Sequence, residues 1–316
     1  MIDRRRFLAA ALAAGTLRAS AETPRSKFDA ESTAEEVTAG LDFSGMTAVV
    51  TGCNSGIGFE TLRVLALRGA HVIGTARTRE KGLDACKKVK GRATAVVLEL
   101  TDFASVIACA ERIRALTPRI DMLILNAGIV LNRLEQVYGL EKQFVVNHLG
   151  HFLLTNRVLD LVKVARQGRV VTVGSGNHRD APPGGIQFDS LSGEGWAGRG
   201  YHHSKLANGL FSLELARLLQ GTRATSNCLT PGSVRTHILR NIPGSTASQT
   251  KSPAQGAATQ CYVATNPRLA KVSGEYFKDC NPALQSADQR NAEMAARLWQ
   301  VSTQLTIDIV KRMQHY

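Results

Sequence analysis

The sequence predicts an α/β domain, a doubly wound parallel sheet of about seven strands in a single unit, and three observations carry that reading. Short, almost wholly apolar runs recur along the chain, amphipathic stretches of helical length separate them, and the first run leads into a glycine-rich turn.

The runs are "TAVVTG" (47–52), "HVIGTA" (71–76), "ATAVVLEL" (93–100), "IDMLILNAG" (120–128) and "GRVVTVGS" (168–175), with "ATSNCLTPG" (224–232) and "GEYF" (274–277) later. A strand covered by helices on both faces has no polar side to alternate with, so unbroken apolar runs are what such a sheet requires. Helical stretches fall at 59–67 and 135–166. Upstream, residues 22–31 are polar and read as disordered, and "STAEEVTAG" offers Ser32 with Glu35 as a capping box and Gly40 as the stop of a short helix. No repeat or linker divides the remainder, so residues 22–44 form a lead-in and 45–316 one domain. Two irregular segments, 176–200 and 235–252, are rich in Gly, Pro and polar residues; at the carboxyl ends of strands such segments rim a ligand crevice.

The chain of 316 residues is 44% hydrophobic, enough for a large core, and carries a formal charge of +13. Its basic residues beyond position 21 are scattered, with no Lys/Arg run, zinc-finger spacing or aromatic-basic signature, which argues against nucleic acid as a partner. Six cysteines without a C-x-x-C pair are no disulfide framework, although an oxidising compartment leaves one bridge open. His148/His151 and His202/His203 lack metal-ligand spacing, so no metal is expected.

Residues 1–21, "MIDRRRFLAAALAAGTLRASA", place Arg4, Arg5 and Arg6 before an apolar run and end on Ala19-Ser20-Ala21, the three-part layout of an export signal. The apolar run is short of the roughly 20 residues that span a bilayer. "DRRRFLA" resembles a twin-arginine signal, which implies a periplasmic protein exported folded. An uncleaved signal tethering the chain to the inner membrane, or a cytoplasmic chain, are the alternatives.

The first strand runs into "TGCNSGIG", residues 51–58. Gly52 suits a tight turn, Gly56 a close backbone approach to a pyrophosphate and Gly58 close packing of helix on strand; Asn54, Ser55 and Ile57 complete the turn. This is a Rossmann-type dinucleotide site. At the end of the second strand an acid would hold a ribose 2′-hydroxyl, but "GTART" offers Arg77 and no acid, which favours NADP over NAD; Asn54 and Ser55 lie where they add to the same phosphate site. The plainer alternative is that Arg77 is a solvated loop base. "YHHSK" puts Tyr201 and Lys205 on one helix face. A phenol with a pKa near 10 is a poor catalyst at neutral pH, and a neighbouring ammonium lowers it by favouring the phenolate. Ser175, ending the fifth strand, lies within reach of a substrate oxygen in this fold. His202 and His203 face other sides of that helix and read as structural, and Cys53 as packing.

Together these motifs resemble the short-chain dehydrogenases/reductases from about residue 28 to residue 305, in particular the retinol dehydrogenase and WW-domain oxidoreductase branch. "ESTAEEVTAGLDFSG", "TGCNSGIGFET", "ILNAG", "VNHLGHFLLT", "YHHSKLANGLFSLELARLL" and "VSGEYFKDC" carry the likeness. The resemblance implies a catalytic tetrad: Tyr201 exchanges the proton, Lys205 lowers its pKa and binds the nicotinamide ribose, Ser175 polarises the carbonyl, and Asn147 holds a water linking Lys205 to solvent. It implies that Asn126, with Ala127 and Gly128, braces the sheet beside the adenosine, and that Pro231, Gly232 and Thr236 border the nicotinamide amide. Glu99, followed by Leu100, stands where the family has an aspartate facing the adenine, and Gly174 where a second serine is common. The implied function is NADP-dependent interconversion of an alcohol and a carbonyl on an apolar small molecule; relatives often form dimers or tetramers, so a homo-oligomer is one option that the sequence leaves open. A catalytically silent NADP-binding or scaffolding protein is the alternative.

Overall fold

In the computed structural model, which describes residues 23–242 and 248–314, the apolar runs become β1 (Thr47–Val50), β2 (His71–Ala76), β3 (Ala93–Val97) and β4 (Met122–Leu125). A hairpin of β5 (Gln136–Val137) and β6 (Leu140–Glu141) follows, then β7 (Arg169–Val173), β8 (Thr225–Thr230), β9 (Tyr276–Lys278) and β10 (Asn281–Pro282). The helices are α1 (Ala34–Val37), α2 (Gly56–Leu67), α3 (Arg79–Lys87), α4 (Phe103–Leu116), α5 (Lys142–Phe144), α6 (Gly150–Lys163), α7 (Gly200–Leu218), α8 (Pro253–Thr265) and α9 (Ala292–Met313). The proposed signal at 1–21 lies outside the described residues.

The main sheet has eight strands in the order β10-β9-β8-β7-β4-β1-β2-β3. Every pairing from β3 to β9 is parallel, giving the seven expected strands, and the short β10 adds an antiparallel edge. The period of two in each strand sorts its side chains onto two faces. Val49, Ile73, Leu123 and Val170 pack into one core beneath α4, α6, α7 and α9, and Val50, Val72, Ile124 and Val171 into another beneath α1, α2 and α8. The chain order reverses between β1 and β4, so the crevice at their carboxyl ends is the topological switch point.

The structure departs from the sequence reading in three places and settles one point that it left open. The capping box is Thr33 with Glu36, one residue later than expected, because the Ser32 side chain is engaged with Asp29. The segment before it is ordered: Ser26 N–H donates to Asn281 Oδ1 (2.9 Å), Asn281 Nδ2 to the Phe28 carbonyl (2.7 Å), and the Phe28 ring meets Tyr262 edge-on. Its polar groups find partners at the β9–β10 edge, which composition does not reveal. The stretch 135–166 is not one helix. Tyr138 and Gly139 both take positive φ (58° and 75°) and close the β5–β6 hairpin, and residues Val145–Leu149 form a π-helical turn before α6 begins. All six cysteines are free, so the bridge left open by the even count does not form here.

Candidate active site

The turn after β1 has the shape its glycines foretold. Gly52 (φ +69°) and Gly56 (φ +57°) occupy backbone conformations that L side chains rarely adopt, and a Cβ on Gly58 would lie 2.2 Å from the Gly52 carbonyl oxygen and 2.4 Å from Asn126 Nδ2. Ser55, at the N-cap of α2, makes no side-chain cap bond, leaving the first-turn N–H groups without a side-chain acceptor. Asn54 and Ser55 are exposed, Ile57 packs beside Gly256, and Thr236 closes over Gly56 at 3.0 Å from a would-be Cβ. Bare glycine backbone and uncapped helix donors are the features a pyrophosphate needs, so these residues fit a dinucleotide. Cys53 is fully buried, its sulfur filling the space that Gly74 leaves in β2, as a packing residue should.

Arg77 follows β2 directly and is exposed, with no ion-pair partner among the described residues. Glu99 turns to its own loop, where Oε1 accepts from the Thr101 N–H (3.0 Å) and hydroxyl (2.8 Å). Leu100 is buried against Gly150. Asn126 does brace the sheet, donating from Nδ2 to the Thr51 carbonyl (2.8 Å), and Ala127 lies at 3.0 Å from a would-be Cβ on Gly52. Pro231 and Gly232 (φ +80°) follow β8, and the Lys251 stem crosses 3.3 Å from a would-be Cβ on Gly232. Lys251 Nζ pairs with Asp279 at 2.5 Å, tying the base of the 235–252 rim to the loop after β9.

Four side chains converge beyond β4 and β7. Lys205 is buried on α7 and donates from Nζ to the Val173 carbonyl (3.0 Å), with Nζ 5.6 Å from the centre of the Tyr201 ring. Ser175 Oγ accepts from the Asn177 N–H and donates to Asn177 Oδ1, both at 3.2 Å. Asn147 is fully buried in the π-helical turn: Nδ2 donates to the Ile129 carbonyl (3.0 Å) and Ser204 Oγ (2.9 Å), while Oδ1 accepts from the Ile129 N–H (2.9 Å). Gly128 separates Asn147 from Lys205, since a Cβ there would lie 3.2 Å from Asn147 Oδ1 and 3.7 Å from Lys205 Nζ. Gly174 has no room for a second serine, because a Cβ would meet Cys228 Sγ at 2.8 Å.

Burial governs the titration of this cluster. It holds the Lys205 ammonium down to about 8. The sequence reading has that ammonium lowering the Tyr201 phenol, but the phenol is pushed up, by burial first, with the Ser175 hydrogen bond opposing. The ammonium lies toward the ring and is engaged with the Val173 carbonyl, so desolvation prevails.

Sequence reasoning passed over two histidines. His178 takes the Ser286 N–H at Nε2 (3.3 Å), so Nδ1 carries the proton and donates to the Ser175 carbonyl (2.7 Å), fixing the serine turn. His151 lies between Thr51 and Asn147. A search for metal spacing could not find either, but His151 is four residues after Asn147 and His178 three after Ser175, spacings that return to one face of a helical turn. His203, read as structural, stacks on Trp196 at 3.9 Å between ring centres.

Comparison with known proteins agrees with this architecture. The family described as short chain dehydrogenase matches residues 46–246. A WW domain-containing oxidoreductase of Gallus gallus is 38% identical over 89% of this chain and 73% of its own length, and retinol dehydrogenase 11 of Homo sapiens is 39% identical over 85% and 88%. Among solved structures, an uncharacterised protein from Mycobacterium paratuberculosis superposes with a TM-score of 0.70 at 32% identity, covering 85% of this chain and 96% of that one. The chain is therefore a member of the short-chain dehydrogenase/reductase family, an oxidoreductase built on that family's fold.

Proposed function

We propose that the chain interconverts an alcohol and a carbonyl on an apolar small molecule by NADP-dependent hydride transfer, with Tyr201 as the acid/base. The observation that carries this reading is the gathering of Ser175, Tyr201, Lys205 and Asn147 within reach of a dinucleotide turn at the switch point of the sheet. Gly52, Gly56, Gly58 and the start of α2 would hold the pyrophosphate, Arg77 the 2′-phosphate, and Thr236 with Pro231 and Gly232 the nicotinamide end. The bound nucleotide supplies or accepts the hydride.

The chain's own residues then handle the proton. In reduction, the Tyr201 hydroxyl donates to the substrate oxygen as negative charge develops there, and in oxidation the phenolate takes the alcohol proton. Ser175 donates a hydrogen bond to the same oxygen, an interaction that strengthens as the charge grows. With a pKa of about 8, Lys205 is mostly protonated at neutral pH and stabilises the phenolate electrostatically. Asn147, buried beside Gly128 and Lys205, would hold a water that links Lys205 to solvent. Arg77, exposed and without an ion-pair partner among the described residues, favours the nucleotide that carries the extra phosphate.

The test is NADPH oxidation across a panel of apolar aldehydes and ketones. Tyr201→Phe should lower kcat by about a hundredfold or more while nucleotide binding persists. NADPH that binds wild-type protein yet is oxidised by no carbonyl would instead identify a silent nucleotide-binding protein. We place this activity in the periplasm on the strength of residues 1–21. Arg4→Lys with Arg5→Lys should retain the protein on the cytosolic side, and undiminished periplasmic delivery would refute the twin-arginine route.

A further inference from the structure

Thr51, which ends the first apolar run, is a hydrogen-bond junction. Its Oγ1 accepts the backbone N–H groups of Asn126 and Ala127, both at 2.9 Å, and lies 2.9 Å from His151 Nε2. A hydroxyl has one proton and two lone pairs, so with both acceptor sites filled the proton must point at Nε2. Nε2 is therefore the bare nitrogen, and Nδ1 carries the ring proton and donates to the Asn147 carbonyl at 3.1 Å. One ordered chain thus runs from the N–H groups after β4, through Thr51 and the imidazole, to the main chain of Asn147. A protonated ring would set an N–H against the Thr51 proton and break the chain. Burial holds His151 down to about 4, and the charge of Lys205 acts in the same direction, so the ring stays neutral through the physiological range.

Asn147 has little freedom apart from this contact. Both Nδ2 protons and one Oδ1 lone pair are committed to Ile129 and Ser204, and Oδ1 and Lys205 Nζ both lie beside Gly128, 3.2 and 3.7 Å from where its Cβ would be. The asparagine lies in the π-helical turn, immediately before the backbone returns to α-helix at Gly150, where local geometry alone fixes a carbonyl less firmly. We infer that His151 is a positioning residue that ties Asn147 to the Thr51 junction, which the Asn126 and Ala127 N–H groups hold in place by themselves, so that a hydrogen-bonded chain anchored at the end of β1 sets the proton path at Lys205. The inference rests on the reading of the crevice as a nucleotide-dependent alcohol/carbonyl site.

His151→Phe keeps a ring of similar size and removes both hydrogen bonds. It should lower kcat by roughly ten- to a hundredfold and raise the solvent deuterium isotope effect, with nucleotide affinity changed less than about threefold. His151→Gln, whose amide both donates and accepts, should recover part of the loss, and it decides the matter if the phenylalanine variant fails to fold. An unchanged kcat and isotope effect overturns the inference; so does a parallel fall in kcat and nucleotide affinity with the pH profile unmoved, since that marks a structural role alone. Nitrogen-15 NMR of the wild-type ring supplies a readout free of turnover. A proton on Nδ1 from pH 6 to 8 is the expected result, and a proton on Nε2 overturns the chain as drawn. Wild-type protein inactive toward every carbonyl would defeat the oxidoreductase reading while leaving that NMR result intact.

Discussion

A side chain at Gly58 has nowhere to go, whereas one at Gly128 has space that the chemistry needs. The Gly58 Cβ would overlap the Gly52 carbonyl and Asn126 Nδ2, neither of which moves without shifting the sheet end. Gly58→Ala should therefore destabilise the fold by about 1–3 kcal/mol and weaken nucleotide binding, as read by the urea midpoint and a nucleotide titration. At Gly128 the nearest atoms are Asn147 Oδ1 at 3.2 Å and Lys205 Nζ at 3.7 Å, a close but bearable contact. Gly128→Ala should keep stability within about 1 kcal/mol of wild type and still lower kcat by roughly tenfold, because the methyl group fills the gap beside the ammonium. Equal effects on stability from the two substitutions would contradict this assignment. The glycines of the turn were legible because their backbone needs are written in spacing. Gly128 was legible only as part of "NAG", since its role depends on the π-helical turn at Asn147 and α7 meeting beside it.

At the scale of elements, the ends of the sheet decide specificity and integrity. Arg77 leaves β2 with no ion-pair partner among the described residues, so on the proposed use of NADP, Arg77→Asp should shift the kcat/KM ratio of NADPH to NADH toward NADH by at least about tenfold. At the opposite edge, Asn281 in β10 holds the lead-in segment through Ser26 and Phe28. Asn281→Ala should cost about 1–3 kcal/mol for the two lost bonds and make the peptide before α1 an early target of proteolysis. The strands were readable because burial on both faces leaves an apolar run as their signature. The hairpin at Tyr138-Gly139 was not, since a tyrosine in the left-handed region is held by tertiary contacts: its hydroxyl accepts from the Phe103 N–H and its ring lies 5.2 Å from that of Phe103.

Across the whole molecule, burial of ionisable groups sets the response to pH. His148 and His203 are held down to about 3 and His151 to about 4, each chiefly by burial, against an ordinary value of 6.5. The unfolded chain gains protons on these rings that the folded chain refuses. Stability is thus fully present above about pH 6.5 and falls as pH drops toward 4. A urea midpoint clearly lower at pH 5 than at pH 7.5 is the expected measurement, and a flat profile would count against the buried neutral rings. Lys205, held at about 8 against 10.5, acts at the other end: the folded chain loses its proton first, so its contribution to stability rises between those values. Lys205→Met should remove that rise while abolishing turnover.

The sequence by itself determined the parallel sheet and the glycine turn after β1, because these follow from local rules, apolar periodicity and glycine conformations; the four residues proposed as a tetrad followed from a resemblance to a family and not from such rules. Only the tertiary structure decided how those four side chains are held. The π-helical turn at Asn147, the Thr51–His151 link, the burial that raises Tyr201 against the pull of Ser175 and the docking of residues 23–33 on the far edge join positions remote in sequence. A residue's partners across the fold are set by packing of whole elements, and packing leaves no periodic mark in the chain.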